Sequence, residues 1–376
     1  MRQIIMMLVW ILVIAGGLTT PGHGKTHAPA SPIHAFNATI AKWYHNHTAA
    51  ISLTYDDGDF ASKNNRRINK FVIQNGVTLD YEIVTADFLK SSYGRTLLKE
   101  EFIPLGLGYF GHGHTHIPHD SLSYEEALKS FTLCFETMKS LGLKPVAYAY
   151  PNGAAKKNTT RHALAASGFL SGRLHFSKAM TEPYIVPDAK VEPEDWFALP
   201  CLVMQDYSFN HCDRCVSNNE QLLPYLDATI AKKAWIILTY HAIGDEKGYG
   251  FFKYEEFQKN IYDIKKRDFW VASMNAITLY LREYAQAQVY MIAIPESKNK
   301  HKNKIKEIQI MVSDGLPNLT FDHPLTVLFD LPKSWVNKSL VLSEEGKIIS
   351  TLFFSSSKAT LSILPDEINK KIMVKK

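Results

Sequence analysis

The chain has 376 residues, 46% of them hydrophobic, and a formal net charge of +5. This length and composition predict an ordinary globular protein with one large domain, a smaller domain and a sizeable core. The basic residues are dispersed except in the run 298–306, which contains no aromatic residue. Because nucleic-acid surfaces interleave aromatic with basic residues, this run is predicted to be a solvated linker, and a nucleic-acid partner is not expected.

Residue 2 is an arginine, residues 4–15 are apolar, and small residues follow. This pattern predicts a secretory signal, placed at residues 1–24, because a spanning helix needs roughly 20 apolar residues. An uncleaved N-terminal anchor is the alternative. We therefore expect a secreted, periplasmic or cell-surface protein with no stable membrane span after signal cleavage.

After a polar spacer predicted at 25–47, the folded part is expected to begin near Thr48. Residues 49–55 alternate apolar and β-favouring side chains and stop at Asp56 and Asp57. This pattern predicts a buried strand that delivers two carboxylates to its carboxyl end. The two carboxylates can then divide two tasks, since one can hold a metal ion while the other takes a proton from water.

Strands and helices alternate downstream, which predicts a parallel β/α sheet. Strands are expected at 77–85, 145–151, 168–172 and 234–240, and helices at 65–75, 123–141, 160–167, 254–267 and 276–284. Residues 181–230 are expected to be irregular. From residue 290, short strands separated by Gly, Pro and Asn predict an all-β sandwich at 305–376, after a basic linker at 286–304.

Four histidines lie between Gly111 and Asp120. Neutral imidazole is a common metal ligand, so this density predicts a metal site. His112 and His116 are four residues apart, a spacing at which both side chains can bind one ion in a helical or tight turn. The pair His114 and His119 is the competing choice.

Two further strand ends present groups that suit hydrolysis. The strand 145–151 meets a turn at Asn152 and Gly153, whose backbone N–H groups can face a developing oxyanion. The strand 234–240 ends at His241, a position that suits a general acid. Taken alone, each feature is more often structural.

Cys212 and Cys215 form a C-x-x-C sequence, and Cys134 and Cys201 are separate. A structural zinc site needs a second pair of ligands. A disulfide or free thiols are therefore expected.

Together, and in this order, residues 48–285 resemble the polysaccharide deacetylase family with the NodB homology domain. The sequence T-Y-D-D-G at 54–58 is similar to the T-F-D-D-G motif of that family. H-G-H-T-H at 112–116 is similar to its H-x-x-x-H motif, and L-T-Y-H at 238–241 to its L-x-x-H motif. The resemblance implies an α/β fold, a distorted (β/α) barrel with its site at the carboxyl ends of the strands.

The resemblance also implies roles for individual residues. The base is Asp56, the acid is His241, the metal ligands are Asp57, His112 and His116, and Leu238 lines the acetyl pocket. The R-x-P-Y motif is here A-Y-P-N, so Tyr150, Pro151 and Asn152 fill it without its arginine, and the oxyanion contact falls to the Asn152 N–H. Arg173 is assigned the task of orienting Asp56 instead.

The predicted function is hydrolysis of the N-acetyl amide, or an O-acetyl ester, of an N-acetylhexosamine-containing glycan. One divalent metal ion, expected to be zinc, would assist. A non-catalytic carbohydrate-binding protein is one alternative, because the missing arginine weakens the catalytic set. A His-rich metal-binding protein is another, and it would need neither Asp56 nor His241. Chitin oligomers, peptidoglycan and exopolysaccharide all offer such an amide.

Overall fold

The structure is a computed structural model that describes residues 34–35, 37–56, 63–176, 180–187, 193, 195–206, 214–296 and 304–375. The predicted signal, Asp57, Gly58, Cys212 and most of the basic run lie outside the described residues. None of the helices in the described ranges combines the length and apolar character needed to cross a membrane.

The described residues form strands and helices that alternate through the first three quarters of the chain. The strands are β1 (His34–Ala35), β2 (Ala38–Ile40), β3 (Ala49–Tyr55), β4 (Asp80–Ile83), β5 (Gly108–Gly111), β6 (Ala147–Ala149), β7 (Ser171–His175), β8 (Tyr184–Ile185), β9 (Leu199–Val203), β10 (Trp235–Tyr240), β11 (Phe269–Val271), β12 (Gln288–Pro295), β13 (Ile305–Ser313), β14 (Leu325–Asp330), β15 (Ser339–Glu344), β16 (Lys347–Phe353), β17 (Lys358–Ile363) and β18 (Lys370–Val374). The α-helices are α1 (Lys63–Gln74), α2 (Thr85–Lys90), α3 (Ser92–Thr96), α4 (Tyr124–Ser140), α5 (Asn158–Ala166), α6 (Asn219–Lys232), α7 (Tyr254–Lys265) and α8 (Met274–Gln286), and a π-helix spans Leu97–Phe102.

Seven parallel strands close into a barrel in the order β3, β4, β5, β6, β7, β9 and β10. The ring closes where β10 pairs with β3, from Trp235 opposite Ala50 to Tyr240 opposite Tyr55. Two short strands extend it, β11 beside β3 and β8 antiparallel to β10. The predicted distorted (β/α) barrel is confirmed.

Alternate residues of the barrel strands face the helices or the barrel interior, because side chains along a strand have a period of two. On β3, Leu53 and Tyr55 belong to the buried cluster that includes the helix residues Val72 and Phe257. Their neighbour Thr54 faces the other side and contacts the hydroxyl of Thr239, its partner on the adjacent strand β10, with 3.1 Å between the Oγ1 atoms. Residues two positions beyond these threonines therefore face inward at the carboxyl mouth of the barrel.

Two antiparallel sheets form the β-rich part of the chain, which confirms the predicted sandwich-like C-terminal architecture. One has the strand order β1-β12-β13-β18-β15-β16, and the other has the order β17-β14-β2. The strands β1 and β2 lie within the predicted spacer 25–47, so ordered structure begins before the predicted start near Thr48. Likewise, β12 begins inside the predicted linker 286–304. The short strand β2 is part of a sheet because it pairs antiparallel with β14, from Ile40 opposite Val327 to Ala38 opposite Phe329.

The chain before β3 should therefore contribute to stability. Trp43 is 1% exposed, shares a buried cluster with Trp270 and Val327, and donates its indole N–H to the Lys233 carbonyl. We expect Trp43→Ala to lower the free energy of unfolding by about 3–5 kcal/mol, the usual cost of deleting a buried large aromatic. Denaturant unfolding would measure this, with Tyr290→Ala, which removes a half-exposed ring, as the control. A loss as small as that of the control would contradict the expectation.

The prediction that residues 181–230 are irregular is wrong, because they include the barrel strand β9 and most of the helix α6. Pro200 lies within β9 and Pro224 within α6. Proline has no backbone N–H to donate, so it is uncommon inside strands and helices. The predicted strand 168–172 is also displaced, since β7 is Ser171–His175.

The cysteines follow the expected pattern as far as the structure describes them. Cys215 is disulfide-bonded, whereas Cys134 and Cys201 are buried free thiols.

Candidate active site

Five inward-facing polar side chains lie at the carboxyl end of the barrel. Asp56 follows β3, Glu82 lies near the end of β4, His112 follows β5, Arg173 lies in β7, and His241 follows β10. Each is at most 8% exposed. Since the carboxyl ends of parallel barrel strands meet at one mouth, these residues occupy the position where barrel enzymes hold their active sites.

Asp56, Glu82 and His112 form a compact group of potential metal ligands. One ligand atom from each lies within 4.8 Å of the others. The Nδ1 atom of His112 is 2.9 Å from the Ala149 carbonyl oxygen, which can only accept, so Nδ1 carries the hydrogen. In the neutral ring, Nε2 is then an acceptor, yet it lies 3.2 Å from Oε2 of Glu82. Two acceptors face each other favourably only with a proton or a cation between them, so the geometry fits a metal ion.

The protonation state of His112 also fits a metal ligand. Burial lowers the pKa of His112 to about 3, and the nearby charge of Arg173 acts in the same direction. The ring is therefore neutral near pH 7. A neutral imidazole beside carboxylates is a donor set that zinc accepts.

Asp56 is held by a buried arginine. Nη2 of Arg173 donates to Oδ1 of Asp56, Nη1 lies 3.5 Å from the sulfur of Cys201, and the guanidinium lies over the Phe110 ring at 5.1 Å. Burial would raise the pKa of Asp56, but the charges of Arg173, His112 and His241 outweigh it and lower the pKa to about 2. Asp56 is thus ionised and fixed at neutral pH, as a general base requires, and the roles of Asp56 and Arg173 stay predictions.

The predicted histidine ligands are only partly brought together. His116 is solvent-exposed, with its ring centroid 4.8 Å from that of His112, so it lies beside the buried group. The predicted ligand Asp57 lies outside the described residues. The predicted set of Asp57, His112 and His116 therefore stays a prediction, to which the structure adds the position of Glu82.

The competing pair His114 and His119 has other contacts. His119 is fully buried, stacks on Phe131 at 4.1 Å, and lies 3.0 Å from the Ser130 hydroxyl through Nε2. Burial lowers the pKa of His119 to about 4. These contacts attach the histidine-rich loop to α4, so His119 packs the loop against that helix.

The turn after β6 contains two residues with positive φ. Asn152 and Gly153 have φ values of 56° and 62°, both in the left-handed region. A Cβ at Gly153 would lie 3.1 Å from Cγ of His175, so glycine lets the turn approach β7 closely. Pro151 is buried beside it. The Asn152 N–H remains the predicted oxyanion donor.

Two predicted site residues do not face the site. Leu238 is three residues before His241, so strand alternation places them on opposite faces. Leu238 belongs to the buried cluster against the helices, which does not fit a wall of an acetyl pocket. Tyr150 is in the same cluster, and its hydroxyl donates to the Phe197 carbonyl at 3.0 Å.

Sequence reasoning missed Glu82 and His175. Glu82 shares the inward face of β4 with Asp80, whose carboxylate accepts the Met274 N–H at the start of α8. The alternation L-D-Y-E-I at 79–83 was the available signal, since a buried strand with polar residues on one face needs a polar partner. His175, two residues after Arg173 on β7, faces the same interior, and burial lowers its pKa to about 4.

Comparisons with known proteins give structural matches of low identity. No protein-family model matches the chain, and no curated protein matches it. A provisionally assigned polysaccharide deacetylase from Mycobacterium smegmatis matches with 19% identity and a TM-score of 0.47, over 66% of this chain and 95% of that one. A Puue allantoinase matches with 12% identity and a TM-score of 0.46, over 64% and 93%. A CE4 family pseudoenzyme from Bacillus anthracis matches with 12% identity and a TM-score of 0.39, over 61% and 65%. The activities in these names are those of the matched proteins.

Removal of the Arg173 charge should alter both stability and the pH profile. Asp56 would be left as a buried carboxylate without its main partner, which typically costs about 3–5 kcal/mol of folding stability. With that charge gone, burial dominates and the pKa of Asp56 rises. We therefore expect Arg173→Ala to lower turnover and to shift the acidic limb of the pH profile to higher pH. Arg161→Ala, which breaks a partly exposed pair with Asp195, is the control. An unchanged profile and rate would rule out the orienting role.

Proposed function

We propose that the chain is a metal-dependent deacetylase acting on the N-acetyl amide of an N-acetylhexosamine-containing glycan. The observation that carries the proposal is the buried group of Asp56, Glu82 and His112 at the carboxyl mouth of the barrel, with Asp56 held by Arg173. The order of the sequence motifs supplies the substrate class. A secreted, periplasmic or cell-surface location is proposed from the N-terminal sequence alone.

The metal would be held by His112 and Glu82, with Asp57 and His116 as further proposed ligands. When bound, a divalent ion such as zinc polarises a carbonyl and lowers the pKa of a coordinated water towards roughly 7. The donor set of imidazole and carboxylate is compatible with that ion. The proposal thus includes Glu82, which departs from the ligand set that the resemblance implies.

The other residues would handle protons and the developing charge. Asp56 is ionised near pH 7 and is oriented by Arg173, so it can accept a proton from the attacking water. The Asn152 N–H would donate to the carbonyl oxygen as negative charge develops on it. His241 would donate a proton to the departing nitrogen as the C–N bond breaks. Water thereby supplies the hydroxyl of acetate, and the sugar retains a free amine.

Acetate release from N-acetylated glycans tests the proposal and narrows the substrate. Chitin oligomers, peptidoglycan fragments and an N-acetylated exopolysaccharide would be incubated with the zinc-loaded protein. We expect at least one of them to release acetate. Binding of these glycans without acetate release would favour the non-catalytic carbohydrate-binding alternative.

A further inference from the structure

One large aromatic side chain lies exposed beside the proposed acid. Tyr249 is 61% exposed, whereas His241 is 5% exposed. Their ring centroids are 5.3 Å apart and the rings are nearly perpendicular, at 84°. Single exposed aromatic residues are common on protein surfaces. This one differs because it stands at the mouth of the barrel, against a residue proposed to touch the leaving group.

The loop that carries Tyr249 is built to hold it there. A Cβ at Gly250, where φ is 63°, would lie 2.9 Å from Cβ of His241, so glycine lets the backbone pack directly on the histidine. A Cβ at Gly248 would lie 2.2 Å from Cβ of Ala242. The Ala242 N–H donates to the Tyr249 carbonyl at 3.3 Å, which ties the residue's backbone to the strand end.

The two ends of the loop are also fixed. The Gly244 N–H donates to the Phe252 carbonyl at 2.7 Å, and the Phe252 N–H donates to the Ala242 carbonyl at 3.2 Å. The hydroxyl of Tyr55, on the neighbouring strand β3, accepts the Ile243 N–H at 3.3 Å. The loop is thus closed on itself at the barrel rim, and the position of the Tyr249 backbone is fixed relative to His241.

We propose that Tyr249 is a substrate-positioning residue whose ring packs against the apolar face of a pyranose unit of the glycan. Carbohydrate rings present C–H groups on one face and hydroxyls at the edge, so an aromatic ring can cover the apolar face and leave the hydroxyls hydrated. A tyrosine loses little rotamer entropy on binding, because it has two χ angles. The inference rests on the proposed function and adds a residue that sets the affinity for oligosaccharides over small acetyl esters.

The test compares two substrates that both release acetate but differ in size and in the presence of a sugar ring. One is a soluble N-acetylated oligosaccharide, and the other is a small aryl acetate with no sugar. Burial of one aromatic face predicts that Tyr249→Ala raises KM for the oligosaccharide on the order of tenfold more than it raises KM for the ester. Tyr249→Phe, which keeps the ring, should restore most of the difference. Tyr290→Ala, which removes a half-exposed tyrosine from β12, should leave both KM values unchanged.

A binding measurement separates this inference from the proposed function. Calorimetric titration of the same oligosaccharide into wild-type protein and Tyr249→Ala requires no turnover, and the variant should bind about tenfold more weakly. Equal affinities, or no binding to the wild-type protein, would overturn the role of Tyr249. Binding that depends on Tyr249, together with no hydrolysis of either substrate, would instead overturn the deacetylase proposal alone.

Discussion

We expect His112→Ala and Glu82→Gln each to abolish stoichiometric zinc binding and, with it, hydrolysis. His112 presents a neutral Nε2 atom whose orientation is fixed by the Ala149 carbonyl, and Glu82 faces that atom at 3.2 Å. Loss of either group removes a ligand and leaves the remaining acceptors without a cation to share. Elemental analysis of the purified variants, with zinc affinity measured by calorimetry, would give the result.

The matched control is His114→Ala. His114 is in the same loop, is partly exposed, and contacts the Thr85 hydroxyl at 2.9 Å. We expect its zinc content to remain near that of the wild type. Equal loss in His112→Ala and His114→Ala would move the site to the competing histidine pair. Full zinc content in Glu82→Gln would remove Glu82 from the ligand set.

We expect Asp56→Asn and His241→Ala each to reduce turnover on the order of 10²-fold or more. That factor is the usual scale for a positioned proton-transfer group. Zinc should stay bound in both variants, because His112 and Glu82 are the proposed ligands and Asp56 is held by Arg173. Asp56→Asn keeps the size of the side chain and an oxygen that can accept from Arg173. The substitution therefore removes the general base with little change to the local structure. Steady-state kinetics and zinc content measured on the same preparations would check this, with Asp87→Asn on the exposed surface of α2 as the control.

The pH profile of the wild-type protein provides a second check on the same pair. Asp56 must be deprotonated to act, and the charge of Arg173 holds its pKa below the ordinary value, so we expect the acidic limb to lie below the range of an ordinary carboxyl group. The opposite limb would report the loss of the proton from His241. Wild-type turnover in either variant would remove that residue from the mechanism.

Much of the barrel was predictable from local sequence patterns. Buried β-favouring runs end at Asp56 and His241, and four histidines follow a third strand, so three of the inward polar residues could be placed at one rim. The displacement of β7 and the presence of β9 could not be read in this way. Proline within β9 and glycines around β7 weaken the local strand signal. Pairing with neighbouring strands stabilises both strands in spite of these residues.

The site was predicted less completely than the barrel, and Arg173 was assigned to Asp56 only from the family resemblance. The contact of Arg173 with Asp56 joins residues 117 positions apart, and only closure of the barrel brings them together. Glu82 was treated as part of an alternating strand at 77–85, whereas β4 ends at Ile83 and places Glu82 at the rim. Leu238 shows the opposite failure, because the period of two already separates it from His241, but the motif match assigned both to the site.

The most direct test of the central claim is the joint measurement of acetate and newly formed amine. An N-acetylated oligosaccharide would be treated with the zinc-loaded wild-type protein and with zinc-loaded Asp56→Asn. The account predicts that wild type releases acetate and free amine in equal amounts, at a rate on the order of 10²-fold or more above the variant. Acetate and amine at no more than the level of the variant, from wild-type protein with its zinc bound and its glycan bound, would contradict it.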